Sequence, residues 1–353
     1  MPLTSLPLTS LQLVMHGLTA REILAFARCS RETFHAADAP FAFAHSTLAI
    51  DSMTLLAAPL SCPLLRHIPL VVTLRPPPHR STTSEVSRDG HLAALASRAF
   101  RIVELNAVGC LMTLPQWSRM LSAPRIRSSL RTLLLALDRE DDHIEIVKCI
   151  SALQTLTSLS LYLSYCINVD LGVLVTCPLL STLSLTFHQG SASTSLLQLA
   201  ECRSITALTI RETNLISETA LIQAIARCLF IPQLQSLSLD YLSFDPLHAQ
   251  EWAALFAALT SLESLTLRYV QPDVPLLPYL SAARRLRSLR LLCCIHGTQL
   301  SFAEALPPTE SIVDLLMRCP LLHLTMGTRP AGSKPLEWPQ QWNRFGDRCR
   351  WIQ

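Results

Sequence analysis

The stretch Pro232-Gln-Leu-Gln-Ser-Leu-Ser-Leu-Asp240 is written again as Thr260-Ser-Leu-Glu-Ser-Leu-Thr-Leu-Arg268 and as Arg284-Arg-Leu-Arg-Ser-Leu-Arg-Leu-Leu292. The shared frame, L-x-x-L-x-L, places alternate side chains on one face of a short strand. One such strand cannot bury its own leucines, but copies stacked side by side can. The first apolar position of the frame falls at Phe100, Leu130, Leu156, Leu180, Ile205, Leu234, Leu262, Leu286 and Leu321, in steps of 30, 26, 24, 25, 29, 28, 24 and 35. Recurrence at this period marks a repeat architecture. The steps leave room for a helix between successive strands, as the spacing of apolar residues predicts over Asp142–Leu153, Ser217–Cys228 and Leu247–Leu259.

Size and composition agree. A chain of 353 residues exceeds most single compact cores, whereas a repeat array grows by stacking. Half of the residues are hydrophobic and 16% are charged, which excludes a chain disordered overall. A net charge of +3 with both signs mixed, and no aromatic residues interleaved with a basic stripe, argue against a nucleic-acid partner. No basic leader and no 18-residue apolar run are present, so neither a secretory signal nor a membrane partner is expected. The twelve cysteines then read as reduced thiols in a cytoplasmic or nuclear protein. They show no metal-ligand spacing, and most fall where a repeat uses a small buried hydrophobe.

The phrase Cys-Pro-Leu-Leu recurs at 62–65, 177–180 and 319–322, each time where a helix is expected to end and proline prevents its continuing into the strand. Each unit is therefore strand, turn, helix. From about residue 60 to 330 this resembles the ribonuclease-inhibitor-like class of leucine-rich repeat. The fold class expected is an α/β leucine-rich repeat solenoid, a curved parallel sheet with outer helices. That class places an Asn or Cys after each strand; Cys110, Cys166, Asn214 and Cys294 meet the pattern only patchily.

Residues 1–45 are different, with apolar clusters at helical spacing and Thr19 with Glu22 forming a capping box. Leu6-Pro7 is followed by Leu11, Leu13 and Val14, then Leu18 before a turn. Arg21, Glu22, Ile23 and Leu24 then enter a helix, Ala27-Arg28-Cys29-Ser30-Arg31 continues, and Phe34 closes the run. This order resembles an F-box. Thr9 stands where that family usually has an acidic residue, and Phe34 stands one place late for its usual tryptophan. The resemblance implies that Leu6, Pro7, Leu11, Leu13, Val14, Leu18, Ile23 and Leu24 bind a Skp-type adaptor of cullin ubiquitin ligases. The alternative is a helical cap closing the first repeat.

Residues 46–99 hold an irregular first repeat, with Leu65, Ile68 and Leu70 in the frame, and a solvated Pro/Ser-rich loop from Arg75 to Gly90. Pro69 at a strand position argues for an edge or poorly paired strand. The regular repeats occupy 100–330, and the tail 331–353 carries Trp338, Trp342, Phe345 and Trp351, suited to covering the last leucines. Together the chain divides into a small all-α segment (1–45), an irregular segment (46–99), the solenoid (100–330) and a C-terminal cap.

Nothing in the chain looks catalytic. Phosphate loops, nucleophile elbows and zinc-protease motifs are missing, and nine glycines are too few for phosphate cradles. The acidic run Asp138–Asp142 sits where a turn enters a helix and reads as favourable N-terminal charge, with no metal. No cofactor is expected. A repeat array without chemistry binds partners through its concave strand face. With the frame leucines inside, the outward residues are mostly small hydroxyls, but one row collects Tyr162, Arg211, Asp240 and Arg268, with Arg290 nearby. Tyr and Arg dominate interface hot spots, so this row is the candidate contact for a target protein with a mildly acidic segment. The combined expectation is a substrate-recognition subunit of a cullin ubiquitin ligase. The alternative is a leucine-rich repeat scaffold or inhibitor-like binder with no ubiquitin link.

Overall fold

The computed structural model describes residues 20–27, 48–51, 69–74, 101–108, 113–137, 143–163, 169–187, 192–212, 218–240, 249–268, 277–280, 282–293, 309–328, 345 and 348–352. It divides into two compact units, residues 1–136 with 141–159, and residues 137–140 with 160–353. In both, strands pair in parallel and in chain order, each joined to the next by a crossover. This is the α/β architecture of a leucine-rich repeat solenoid.

In the first unit β1 (Leu48–Asp51) pairs with β2 (Pro69–Thr73), β2 with β3 (Arg101–Ala107), and β3 with β4 (Thr132–Leu137). β4 alternates in the way its sequence dictates. Leu133, Leu135 and Leu137 are buried, while Thr132, Leu134 and Ala136 are half-buried. The helix Leu114–Leu121 buries Trp117, Met120 and Leu121 between β3 and β4 in the chain. Its start is closed by the Thr113 backbone N–H donating to Gln116 Oε1 at 2.9 Å.

Two expectations change here. The register pairs Leu105 with Leu133 and Ala107 with Leu135, so the residue matching Leu130 is Ile102, which is fully buried. The frame of this repeat therefore starts at Ile102, two residues after Phe100, which lies outside the described residues. Pro69 is not on an edge strand, because β2 pairs on both sides. It is the first residue of its strand, a position that tolerates the missing N–H. The ladder slips by one residue between Leu70 and Val71 opposite β3, which absorbs the irregular sequence there.

β5 (Ser158–Leu163) buries Leu159, Leu161 and Leu163. In the second unit β6 (Thr182–Phe187), β7 (Ala207–Glu212), β8 (Ser236–Asp240), β9 (Ser264–Arg268), β10 (Ser288–Cys293), β11 (His323–Thr328) and β12 (Cys349–Ile352) pair successively. Leu183, Leu208, Leu237, Leu265, Leu289 and Leu324 share one rung, all at most 1% exposed. Helices Glu218–Ala226 and Ala249–Ala258 stand where apolar spacing predicts them, and they pack on each other. A third expected helix appears as His143–Ser151 in the first unit.

A second ladder stitches the strand entrances. One carbonyl accepts two successive N–H groups of the next repeat. Thr206 O accepts from Gln235 and Ser236, Gln235 O from Glu263 and Ser264, and Glu263 O from Arg287 and Ser288, at 2.8–3.1 Å. It holds register by backbone alone, whatever the side chains are. The Asn and Cys positions after the strands (Cys110, Cys166, Asn214, Cys294) lie outside the described residues.

The last repeat departs from the frame. β10 and β11 match Leu289 with Leu324, yet the buried apolar residue ahead of β11 is Leu322 at 0%, while Leu321 is 69% exposed. Leu322 lies two positions before Leu324, whereas Leu286 lies three before Leu289. The turn after the helix Thr309–Arg318 is one residue tighter, so the frame begins at Leu322 and not at Leu321.

Candidate functional site

Parallel pairing turns the outward residues of β6–β10 into rows. One row runs Ser184, Thr209, Ser238, Thr266 and Arg290. The next runs Thr186, Arg211, Asp240, Arg268 and Leu292. Neighbouring strands lie about 4.8 Å apart, so three unit charges fall within reach of one another at the centre of the second row. Arg211 and Arg268 flank Asp240 from either side.

The geometry is asymmetric. Arg211 Nε is 3.0 Å from Asp240 Oδ2, and Arg268 Nε is 3.8 Å from Oδ1. Ser238 Oγ sits 3.5 Å from Oδ1, a long contact two residues back on the same strand. Both Nε atoms are buried, and among the described residues neither N–H is aligned on an acceptor. Ion pairing at 3.0 and 3.8 Å, with the Ser238 hydroxyl contact, holds the cluster together. The side chain of Asp240 is 3% exposed, whereas those of Arg211 and Arg268 are 37% and 39% exposed. Burial pushes the Asp240 carboxyl above its ordinary value, against the opposing pull of Arg268 and Arg211.

The sequence-derived residues thus separate. Arg211, Asp240 and Arg268 come together as one cluster. Arg290 is exposed on the neighbouring row beside Thr266. Tyr162 is half-buried on β5. Of the F-box-like set, the described helix Ala20–Ala27 begins at the residue after Thr19 and carries Ile23, fully buried, with Ala27 at 4% exposure. Leu6, Pro7, Leu11, Leu13 and Val14 lie outside the described residues, as does Leu18, and so does the side chain of Leu24.

No family model matches the chain, and no curated protein matches it. Among solved structures it is similar to internalin C2 from Listeria monocytogenes, with 16% identity, 69% of this chain and 85% of that one covered, and a TM-score of 0.35. It is also similar to the leucine-rich repeat-containing protein LegL7 from Legionella pneumophila, with 16% identity, 79% and 93% covered, and a TM-score of 0.41.

The pattern put Thr186 on the outward face but did not show how deeply it sinks, and it did not show what Arg348 does. Thr186 closes the charged row, is only 8% exposed and pairs with Arg211. Arg348 reaches back from the tail to three backbone carbonyls. No sequence signal distinguishes it from any other tail arginine. Among the described residues no group of three His, Cys, Asp or Glu is placed to hold a metal, and no helix is long and apolar enough to cross a membrane.

Proposed function

We propose that this chain is a protein-recognition subunit, docking a target on the outward face of its strands and, through residues 1–45, a Skp-type adaptor of a cullin ubiquitin ligase. Such a protein performs no bond chemistry; it raises the effective concentration of target near a conjugating enzyme. The observation that carries the recognition half is the cluster Arg211–Asp240–Arg268, in which two half-exposed guanidiniums are set in place by a buried carboxylate. Arginine is enriched among interface hot spots, and an arginine held before the partner arrives loses less rotamer freedom on binding. The adaptor half is supported by the order of residues from Leu6 to Phe34.

A scaffold without a ubiquitin link is the second reading, and one observation favours it. Ile23 and Ala27 are buried in the protein itself, as expected of a helix that closes the first repeat. A pulldown separates the two. Purified Skp-type adaptor should be captured by the full chain and lost when Leu11 and Leu13 become Ala, with Ile23 left intact because its truncation would damage the fold. A wild-type chain that captures no adaptor leaves the scaffold reading standing.

A further inference from the structure

Asp240 stands apart from the residues around it. On a face lined mostly by small hydroxyls, the chain places an acid between two arginines and buries it to 3% exposure. A carboxylate taken out of water costs free energy unless its partners compensate. Here they do so incompletely, through two unaligned Nε–H groups and one long hydroxyl contact. The acid is too buried to be a partner's contact, and it holds Arg211 more closely than Arg268, at 3.0 against 3.8 Å. What it does control is charge. Two guanidiniums carry +2; with Asp240 ionised beneath them the cluster carries +1.

From this cluster we infer that Arg211 and Arg268 form a clamp for a single carboxylate of an acidic peptide segment, and that Asp240 is the residue that sets its preference for one negative charge over two. The inference rests on the reading of the strand face as a protein-docking surface and names the chemistry of the segment docked there. Each arginine has five N–H donors, and with Nε turned to Asp240 the terminal groups are left for a ligand. A carboxylate brings one charge and matches the cluster. A phosphate brings ~1.5–2 and would leave the buried Asp240 facing an excess of negative charge.

The surroundings suit an extended segment. The rows of Ser184, Thr209, Ser238 and Thr266 and of Thr182, Ala207, Ser236, Ser264 and Ser288 are small, letting a backbone approach the sheet. Arg290 supplies a third cation, two strands and two residues away from Asp240, which is roughly 12 Å from strand spacing and rise. In an extended chain, side chains four residues apart are about 13 Å apart and point to the same side. Two acids at that interval would meet the clamp and Arg290 together.

The test is fluorescence anisotropy of the full chain with three labelled eight-residue peptides. They are alike except that two positions, four apart, carry Glu, Gln or phosphoserine. The Glu peptide should bind about tenfold more tightly than the Gln peptide, and more tightly than the phosphoserine peptide. D240N should reverse the order of Glu and phosphoserine. Because removing one arginine strands a buried carboxylate, the arginines are tested as R211Q/R268Q/D240N, whose folding is checked by circular dichroism. That variant should lose most of the Glu preference, keeping only the share that Arg290 contributes.

Equal binding of Glu and Gln peptides by the wild type overturns the clamp, and so does binding of none of the three. An unchanged Glu-to-phosphoserine ratio in D240N overturns the role of Asp240. A chain that passes these tests but ignores the adaptor loses the ubiquitin link and keeps the clamp. One that captures the adaptor but fails them loses only the clamp.

Discussion

Arg348 Nη2 donates to the carbonyl of Leu316 at 2.7 Å and to that of Cys319 at 2.9 Å, while its Nε donates to Leu322 O at 3.2 Å. One side chain from the tail thus satisfies carbonyls left open where the helix Thr309–Arg318 ends and where the last leucine enters the core. Its guanidinium also lies 5.6 Å from the centre of the Phe345 ring. Next to it, β12 pairs with β11. The end of the repeat array carries a polar clasp. R348A is expected to lower unfolding free energy by roughly 1.5–3 kcal/mol, the range for hydrogen bonds to a charged group. Arg348→Lys should recover little, because an ammonium cannot span three carbonyls as the planar fork does. Urea midpoints of the three proteins measure this.

The altered frame of the last repeat is directly testable. L322A removes a fully buried side chain and should cost about 2–5 kcal/mol. L321A touches a residue that is 69% exposed and should stay within about 0.5 kcal/mol of wild type. The opposite ranking in thermal melts would restore the unbroken frame.

Asp240 links the clamp to pH. Its folded carboxyl holds a proton at higher pH than its unfolded one, chiefly through burial. Between those two values the folded state binds more protons than the unfolded state, so this group makes stability fall as pH rises through the window, with the loss complete above the folded value. D240N removes that slope and should raise the denaturation midpoint at neutral pH. A midpoint lowered at neutral pH and unchanged in acid would mean that the ion pairs outweigh burial.

The buried thiols give a fourth measurement. Burial pushes Cys177 and Cys202 up to about 11 and Cys228 up to about 12. The thiolate is the reactive species, so these three should resist a thiol-selective reagent at mildly alkaline pH until the protein unfolds. Cys149, Cys319 and Cys349 are only partly buried and should be labelled before those three. Mass spectrometry of peptides after a short labelling pulse reads the order.

Much of this protein was open to inspection in its sequence. The alternation in Ser236–Asp240, Ser264–Arg268 and Ser288–Cys293 dictates half-buried strands, and the intervals between them dictate crossovers. Side-chain period is a local property, and repetition averages away local error. The same logic named Arg211, Asp240 and Arg268 as one row, because parallel strands of equal frame align equal positions.

Where the repeat is imperfect, sequence alone misplaces the frame. Ile102 and Leu322 are the buried residues where counting assigns Phe100 and Leu321; strand pairing reveals the first and burial the second. Tertiary structure also separated roles that the row had merged. Asp240 lies under the surface, while Arg211 and Arg268 remain half-exposed. A strand pattern says which face a side chain takes, but how deeply it sinks depends on the length and charge of its neighbours across two strands. Arg348 is the extreme case, since its three acceptors lie 26 to 32 residues back in the chain. Periodicity determined the fold; contact between distant segments decided which charges are buried, which are offered to solvent, and what closes the end.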